Sequence, residues 1–314
     1  MERVRLESLV PQGWPSPAVT IGNFDGVHLG HQALIESAAR WARPAGGRTV
    51  VLTLDPHPAR LLDPARAPAT LTTLGQKAEL VGALGVDALV VLPFTTELAR
   101  RPAEEFARLV LAQALQAKRV VVGEGFRFGH QRGGDVKGLE TLGAALGFGV
   151  ESVAPVLYRG RPISSSRVRE ELARGEVAEA RALLGRRFFI DGRVVEGERR
   201  GRTLGFPTAN LETLNETVPL RGVYAARCRV PSGDWVPAVV NIGRRPTFGG
   251  GAVSLEAHLL DFEGDLYGVD LRTEFAARLR EERRFAGAEA LVAQIREDVS
   301  RARAVMADPP GKGV

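Results

Sequence analysis

The chain has 314 residues, of which 44% are hydrophobic and 25% charged, so it is long enough for two cores, since single cores stop growing at about 250–300 residues. The net charge of +5 comes from scattered basic residues with few aromatics, which disfavours nucleic-acid binding. We also expect no membrane span and no secretory signal. Because Cys228 is the single cysteine, an intrachain disulfide is impossible. We therefore expect a cytoplasmic protein with neither nucleic-acid nor membrane partners.

The first half alternates predicted strands and helices. Strands are predicted over 18–22, 50–54, 88–92 and 120–122, and helices over 30–43, 75–84 and 102–116. This alternation is typical of a doubly wound α/β domain, in which helices cover both faces of a parallel sheet. Such sheets bind ligands beyond the carboxyl ends of their strands. We therefore expect a site formed by residues 22–31, 55–58 and 123–130.

The pattern changes near residue 185, after a helical stretch over 167–184. Short strands are then predicted over 188–195, 223–230, 235–242, 253–261 and 269–275, followed by a helix over 288–305. Short strands separated by Gly, Pro and Asp clusters predict a small antiparallel β-barrel or sandwich, of which we expect the barrel. The resulting prediction is two domains, 1–185 and 186–306, with a disordered tail over 307–314.

His28 and His31 lie at the predicted start of the first helix, three residues apart, so both side chains project to one face. Free backbone N–H groups at a helix start favour an anion, and Gly30 lets a phosphate approach the backbone closely. The arrangement suits attack on the α-phosphate of ATP, a reaction that depends on positioning and charge stabilisation. The structural alternative is a helix cap with two solvent-facing histidines.

A second candidate anion site lies in I-S-S-S-R-V-R at residues 163–169. Serine hydroxyls and backbone N–H groups at a helix start, with Arg169 one turn later, would bind phosphate. An ordinary serine N-cap is the alternative.

The segment 192–210 predicts another phosphate site. Glycines at 192, 197, 201 and 205 allow backbone amides to close around phosphates, although no Walker loop is present. Thr208 and Asn210 are two residues apart, so an extended strand would point both oxygens to one face, and such oxygens suit Mg²⁺. A hairpin loop with a Pro-Thr-Ala-Asn turn is the alternative.

Residues 18–185 resemble the adenylyltransferase half of the prokaryotic bifunctional riboflavin kinase/FMN adenylyltransferase (FAD synthetase) family. The resemblance includes G-N-F-D-G-V-H-L-G-H at 22–31, D-P-H-P at 55–58, L-T-T with Lys77, G-E-G-F-R-F-G at 123–129, and residues 163–169. It implies a nucleotidyltransferase domain with catalytic histidines His28 and His31. The other residues expected at the ATP phosphates are Gly22, Phe24, Asp25, Gly30, Ser164, Ser165, Ser166 and Arg169. Those expected at the flavin are His57, Gly125, Phe126 and Phe128.

Gly125 departs from the family pattern, which usually has Asp or Asn at this position. That polar side chain is expected to hydrogen-bond the flavin, and glycine cannot. We therefore expect weaker FMN binding with adenylylation retained.

Residues 192–210 and several downstream segments resemble the riboflavin kinase half of the same family. The resemblance implies that Thr208 and Asn210 hold Mg²⁺ and that Glu256 is the catalytic base. By alternation, Leu255 and Ala257 could point into the core, which leaves Glu256 on the cleft face or the solvent face. The remaining implied residues are Gly192, Gly197, Gly201 and Arg202 at ATP, and Arg280 and Phe285 in a loop closing over flavin.

Together these features predict an enzyme that phosphorylates riboflavin to FMN and adenylylates FMN to FAD, using ATP and Mg²⁺, as a monomer or weak homo-oligomer. One alternative keeps the kinase and gives the first domain another phosphate acceptor, supported only by Gly125. A second alternative is a non-catalytic flavin-binding regulator, which the presence of both histidines, Thr208, Asn210 and Glu256 disfavours.

Overall fold

The computed structural model describes residues 1–197, 204–244 and 253–307. By its internal contacts the chain divides into two units, Met1–Ser164 and Ser165–Val314. The change of sequence pattern lies later, near residue 185. The difference comes from two helices, Ser165–Arg174 and Val177–Leu184, which belong to the second unit by their contacts. A division by contacts does not define where an activity begins, so the functional boundary at 185 stays a prediction.

A six-stranded parallel sheet forms the centre of the first unit. Its strands are β1 (Glu2–Arg5), β2 (Ala18–Ile21), β3 (Thr49–Asp55), β4 (Ala88–Pro93), β5 (Arg119–Gly123) and β6 (Gly149–Val153), in the order β1-β4-β3-β2-β5-β6. The order reverses between β2 and β5, which is the point where such sheets bind ligands. The four predicted strands are confirmed. Strands β1 and β6 escaped prediction because both are short edge strands that contain few apolar residues.

Helices flank this sheet. They are α1 (Leu29–Ala42), α2 (Pro58–Leu62), α3 (Leu74–Ala83), α4 (Thr96–Arg100), α5 (Ala103–Phe106, continued by a π-helix over Ala107–Ala114) and α6 (Val136–Leu146). Adjacent residues of β3 contribute to different core clusters: Val50 and Leu52 pack in one, and Val51 in the other. Because successive strand residues point to opposite faces, apolar side chains cover both faces of the sheet. The prediction of a doubly wound α/β unit is confirmed.

The second unit begins with α7 (Ser165–Arg174) and α8 (Val177–Leu184), after a hairpin of β7 (Leu157–Tyr158) and β8 (Arg161–Pro162) in the first unit. A closed antiparallel barrel follows, formed by β9 (Phe189–Val195), β10 (Ala209–Thr213), β11 (Gly222–Arg229), β12 (Trp235–Arg244), β13 (Val253–Leu259) and β14 (Asp270–Arg280). The last helix, α9 (Ala288–Ala307), packs against β11, β12 and β14. The predicted barrel and C-terminal helix are confirmed.

Strand β13 alternates between the barrel interior and the outer face. Leu255, Ala257 and Leu259 are buried, whereas Glu256 and His258 are half-buried. The alternation predicted around Glu256 is therefore confirmed. Among the described helices, none combines the length and apolar character needed to cross a membrane.

Candidate active sites

The loop between β2 and α1 has a tightly held backbone. Phe24 and Val27 adopt positive φ angles of 46° and 42°. The Asp25 carboxylate is 3% exposed and accepts hydrogen bonds from the backbone N–H groups of Leu71 (2.9 Å) and Thr72 (3.2 Å). Asp25 thus anchors the loop to the segment before α3.

Phe24 packs against the ring of His31. Its side chain is fully buried, and its ring centre lies 5.0 Å from that of His31. A Cβ atom on Gly22 would lie 3.3 Å from the Phe24 ring. Gly22 and Phe24, both expected at the ATP phosphates, are therefore packed together as support for the loop.

The imidazoles of His28 and His31 stack on one face of the start of α1, with ring centres 3.7 Å apart and planes 18° from parallel. His28 caps the helix, because its Nδ1 accepts a hydrogen bond of 3.3 Å from the backbone N–H of His31. With Nδ1 accepting, a neutral His28 carries its proton on Nε2. A Cβ on Gly30 would lie 3.1 Å from the His28 ring, so this position also serves the packing of the histidine.

Burial lowers the pKa of His31 well below 6.5, and the charges of His28 and Lys77 lower it further. His31 is therefore neutral at pH 7. Its Nδ1 is buried and has no hydrogen-bond partner among the residues that the structure describes. A neutral imidazole can donate one hydrogen bond to a phosphoryl oxygen.

His57 joins the histidine loop to the segment after β3. It caps α2 through Nδ1, which accepts a hydrogen bond of 3.2 Å from the backbone N–H of Ala59. Its Nε2 lies 3.0 Å from the side-chain amide of Asn23. The contacting atom of Asn23 is its amide nitrogen Nδ2. No role of Asn23 was evident from its residue type and position alone.

The segment after β5 carries two stacked phenylalanines. The ring centres of Phe126 and Phe128 are 5.5 Å apart, and Phe128 also packs against Phe106 in the core. Gly125 is exposed, and a Cβ atom there would meet no atom within 4 Å. A side chain at this position would therefore fit without disturbing the fold.

Lys77 is a buried residue that the sequence analysis left without a role. Its side chain is 9% exposed, and its ammonium donates a hydrogen bond of 3.3 Å to Oγ1 of Thr53. Burial lowers the pKa of Lys77, and the charges of Asp25 and Asp55 partly oppose this. The match of L-T-T with Lys77 to the family was the only sign in the sequence that Lys77 has a role. The sequence does not show that the ammonium is buried.

The serine-rich segment spans the division between the two units. Ser164 ends the first unit, and Ser165, Ser166 and Arg169 begin α7 in the second. Within the first unit, the carbonyl of Ile163 lies 3.7 Å from the Cβ position of Gly30. The expected contacts of these serines and Arg169 with ATP phosphates stay predictions.

Two cavities in the second unit share Thr208 as a lining residue. The larger cavity, of about 590 Å³, is lined by Pro207, Thr208, Phe262, Asp265 and Tyr267, among others. The smaller cavity, of about 310 Å³, lies between the outer face of the barrel and α9, and its lining includes Glu256, Arg280, Phe285 and Leu291. Thr208 therefore stands between two spaces that can hold different ligands.

Glu256 faces the smaller cavity. In the barrel it is paired with Asn210 of β10 on one side and with Asn241 of β12 on the other. Directly paired residues of antiparallel strands present their side chains on the same face. The outer face thus carries a row of one carboxylate and two amides, and Asn241 was not among the predicted site residues.

His258 fixes the segment that carries Thr208. Its Nδ1 lies 2.8 Å from the Pro207 carbonyl, which can only accept, so Nδ1 donates. The His258 ring also meets Phe206 edge-on at 5.5 Å. His258 therefore ties the approach to β10 to strand β13.

Arg280 was expected in a loop, but it is the last residue of β14, where pairing with Val223 holds the backbone. Its guanidinium donates to the buried Asp298 carboxylate over 2.8–3.1 Å, and Gln294 donates to the same carboxylate. Phe285 lies beyond the strand end, with its ring centre 5.7 Å from the Arg280 guanidinium. The prediction that Arg280 lies in a loop is therefore wrong. Phe285 lies in the connection between β14 and α9.

The glycines before β10 occupy different environments. Gly197 lies against Asn210, whose amide fills the position of any Cβ at residue 197. Gly192 is a buried residue of β9 paired with both neighbouring strands, and it does not line either cavity. Gly201 and Arg202, also expected at ATP, lie outside the described residues.

Comparisons with known proteins match both halves of the chain. The FAD synthetase family model matches residues 11–167, and the riboflavin kinase family model matches residues 184–306. The bifunctional riboflavin kinase/FMN adenylyltransferase of Pseudomonas fluorescens is 43% identical over 289 residues and covers 92% of both chains. The corresponding protein of Escherichia coli K12 is 40% identical over 285 residues and covers 91% of both chains.

A solved structure has the same fold along most of the chain. It is described as a macrolide-efflux protein from Streptococcus pneumoniae, with a TM-score of 0.88 and 30% sequence identity. The match covers 96% of this chain and 99% of that one. Efflux is the description of that protein, and the sequence relatives carry a different one.

Proposed function

The chain belongs to the bifunctional riboflavin kinase/FMN adenylyltransferase family, and from this premise we propose how its residues divide the two reactions. The protein phosphorylates riboflavin to FMN and adenylylates FMN to FAD, with ATP as the substrate of both steps. A non-catalytic regulator and an enzyme acting on another acceptor are therefore set aside.

In the kinase, Glu256 is the general base. It accepts the proton of the riboflavin 5′-hydroxyl as that oxygen attacks the γ-phosphate of ATP, a role worth typically about 10²–10⁴-fold in rate. The observation that carries this assignment is the shared position of Thr208 on both cavities, with Glu256 on the smaller one. We place riboflavin in the smaller cavity and ATP in the larger, so that the hydroxyl and the γ-phosphate meet beside Thr208.

Thr208 and Asn210 would hold Mg²⁺ in the kinase. A hydroxyl and an amide oxygen are hard ligands that suit this ion, which takes its remaining ligands from water and phosphates. These two neutral oxygens are the donors we propose. When bound, Mg²⁺ supplies positive charge to the triphosphate.

Phe285 and Arg280 bind the flavin in the kinase. Phe285 offers an aromatic face at the smaller cavity, and Arg280 is held against it by Asp298. We keep Gly201 and Arg202 as proposed ATP-binding residues. Gly197 acts by accommodating Asn210, and Gly192 by allowing close packing in the barrel, where its Cβ would lie 3.1 Å from Leu211.

In the adenylyltransferase, His28 and His31 donate hydrogen bonds to phosphoryl oxygens of ATP. An oxygen of the FMN phosphate attacks the α-phosphorus, and pyrophosphate leaves. Gly30 permits the close approach of phosphate, and Ser164, Ser165, Ser166 and Arg169 bind the triphosphate. The roles of Gly22, Phe24 and Asp25 are to hold the histidine loop, as their contacts support.

The flavin of FMN binds beside the segments that follow β3 and β5. His57 is fixed by Ala59 and Asn23, and the stacked rings of Phe126 and Phe128 provide an apolar surface. Gly125 leaves this surface without the polar side chain usual in the family. We further propose a cytoplasmic monomer or weak homo-oligomer with no nucleic-acid or membrane partner.

Two single variants test the division of labour. His31→Asn is expected to stop FAD formation while riboflavin is still converted to FMN. Glu256→Gln is expected to stop FMN formation while added FMN is still converted to FAD. Chromatography of the flavins after incubation with ATP and Mg²⁺ measures both, and Glu212→Gln, at an exposed position of β10, is the control. A folded variant that lost both activities would contradict the two-site assignment.

A further inference from the structure

The ammonium of Lys77 is a buried cation with unused hydrogen-bonding capacity. It has three N–H donors, but its one hydrogen bond within the described residues is the contact of 3.3 Å to Thr53. No carboxylate in the described ranges lies within 4 Å of it. The nearby Asp25 carboxylate already accepts hydrogen bonds from Leu71 and Thr72.

Lys77 also belongs to a chain of hydrogen bonds that links proposed residues of the adenylyltransferase. Thr53, which accepts from Lys77, donates its own hydroxyl proton to the Asn23 carbonyl over 3.1 Å. The Asn23 side chain in turn meets His57. The ammonium is therefore connected to the loop of the two histidines and to the flavin-side segment after β3, at the carboxyl end of the sheet.

A buried cation without a direct counter-ion is unfavourable unless a bound anion completes its environment. The adenylyl transfer reaction brings two such anions to this end of the sheet, the triphosphate of ATP and the phosphate monoester of FMN. Both present phosphoryl oxygens that an ammonium can bind. We propose that Lys77 is a substrate-binding residue of the adenylyltransferase and donates hydrogen bonds to a phosphoryl oxygen. This inference deepens the function proposed above and rests on it.

The contrasting role is structural, in which Lys77 only offsets the charges of Asp25 and Asp55. A structural residue would affect the stability of the first unit and leave the Michaelis constants of the folded enzyme unchanged. A phosphate-binding residue would raise the Michaelis constant of the substrate whose phosphate it binds. The two roles therefore differ in a measurement on the folded protein.

The test compares Lys77→Met with Lys137→Met, which removes an exposed lysine of the same unit. We expect Lys77→Met to lower kcat/KM for FAD formation about 10- to 100-fold, the effect of losing hydrogen bonds between a charged donor and phosphate. Riboflavin phosphorylation should be unchanged in both variants. A raised KM for FMN alone identifies the acceptor phosphate as the ligand, and a raised KM for ATP alone identifies the triphosphate.

Thermal unfolding of each variant separates folding from binding. Lys77→Gln, which keeps a donor for Thr53 but removes the charge, is measured under the same conditions. Unchanged constants for FMN and ATP in a folded variant, or failure of both variants to fold, would assign Lys77 a structural role and overturn the proposal. If His31→Asn abolishes FAD formation while the folded Lys77 variants retain it, only the Lys77 inference fails. If His31→Asn retains FAD formation, the residue assignment itself fails.

Discussion

The side-chain amide of Asn210 occupies the space directly over the backbone of Gly197, so that a Cβ atom on residue 197 would overlap it. Gly197 lies just beyond β9, and Asn210 lies in β10, paired with Val195. The glycine therefore determines where the proposed Mg²⁺ ligand can point. This gives it a role in the kinase that does not require direct contact with ATP.

Gly197→Ala is expected to reduce riboflavin phosphorylation, because the methyl group displaces the Asn210 amide. A misplacement of about 1 Å in a catalytic group can cost roughly 10²-fold in rate, and we expect a loss of that order in kcat/KM. FAD formation from added FMN, measured on the same sample, should be unaffected. The double variant Gly197→Ala/Asn210→Ala tests whether the effect acts through Asn210. Its kcat/KM should be little lower than that of Asn210→Ala alone. Additive losses would contradict the coupling.

Gly125→Asn is expected to strengthen FMN binding in the adenylyltransferase. The side chain has open space, since a Cβ at this position meets no atom within 4 Å. One added hydrogen bond is worth about 0.5–1.5 kcal/mol, so KM for FMN should fall roughly 2- to 10-fold. Gly125→Ala provides the matched control, because it adds the Cβ without a polar group. An equal change in both variants would show that hydrogen bonding is not the cause.

Asp298→Ala should destabilise the second unit and impair riboflavin binding. Arg280 and Asp298 are 16% and 2% exposed in their side chains and lie 2.8 Å apart. Removing one partner of a buried ion pair leaves the other charge uncompensated, at a cost of about 3–5 kcal/mol. Denaturant unfolding measures the loss, and KM for riboflavin reports the displacement of Arg280. The exposed pair of Asp261 and Arg303 provides the control, since Arg303→Ala leaves no buried charge uncompensated and should barely move the unfolding midpoint.

Acidification should destabilise the first unit through His31. Its pKa is lowered in the folded protein from 6.5, so the unfolded chain binds a proton more readily. The contribution of His31 to stability is therefore complete above about pH 6.5 and declines as the pH falls below it. The unfolding transition of the first unit, followed between about pH 7.5 and pH 5, should be less pH-dependent in His31→Asn than in the wild type. An identical pH dependence in both proteins would contradict the lowered pKa.

The two-part architecture could be predicted from local sequence patterns. Strands such as β3 and β4 are continuous apolar runs because both faces of a parallel sheet are buried, and β13 alternates because only one of its faces is in the barrel core. The cleft-facing position of Glu256 follows from that alternation once the C-terminal helix covers the outer face. The edge strands β1 and β6 could not be found in this way, since an edge position requires few apolar residues.

Most element types, the order of the two units and the positions of the phosphate motifs can be read from local patterns, because propensity and periodicity depend on residues close together in the chain. Which polar groups are buried, and which groups they contact, depends on the packing of distant segments. Lys77 and Thr53 are 24 residues apart, and Arg280 and Asp298 are 18 apart, so nothing local specifies their contact. Burial and charge pairing arise when separate elements pack together, and those contacts lower the pKa values of His31 and Lys77.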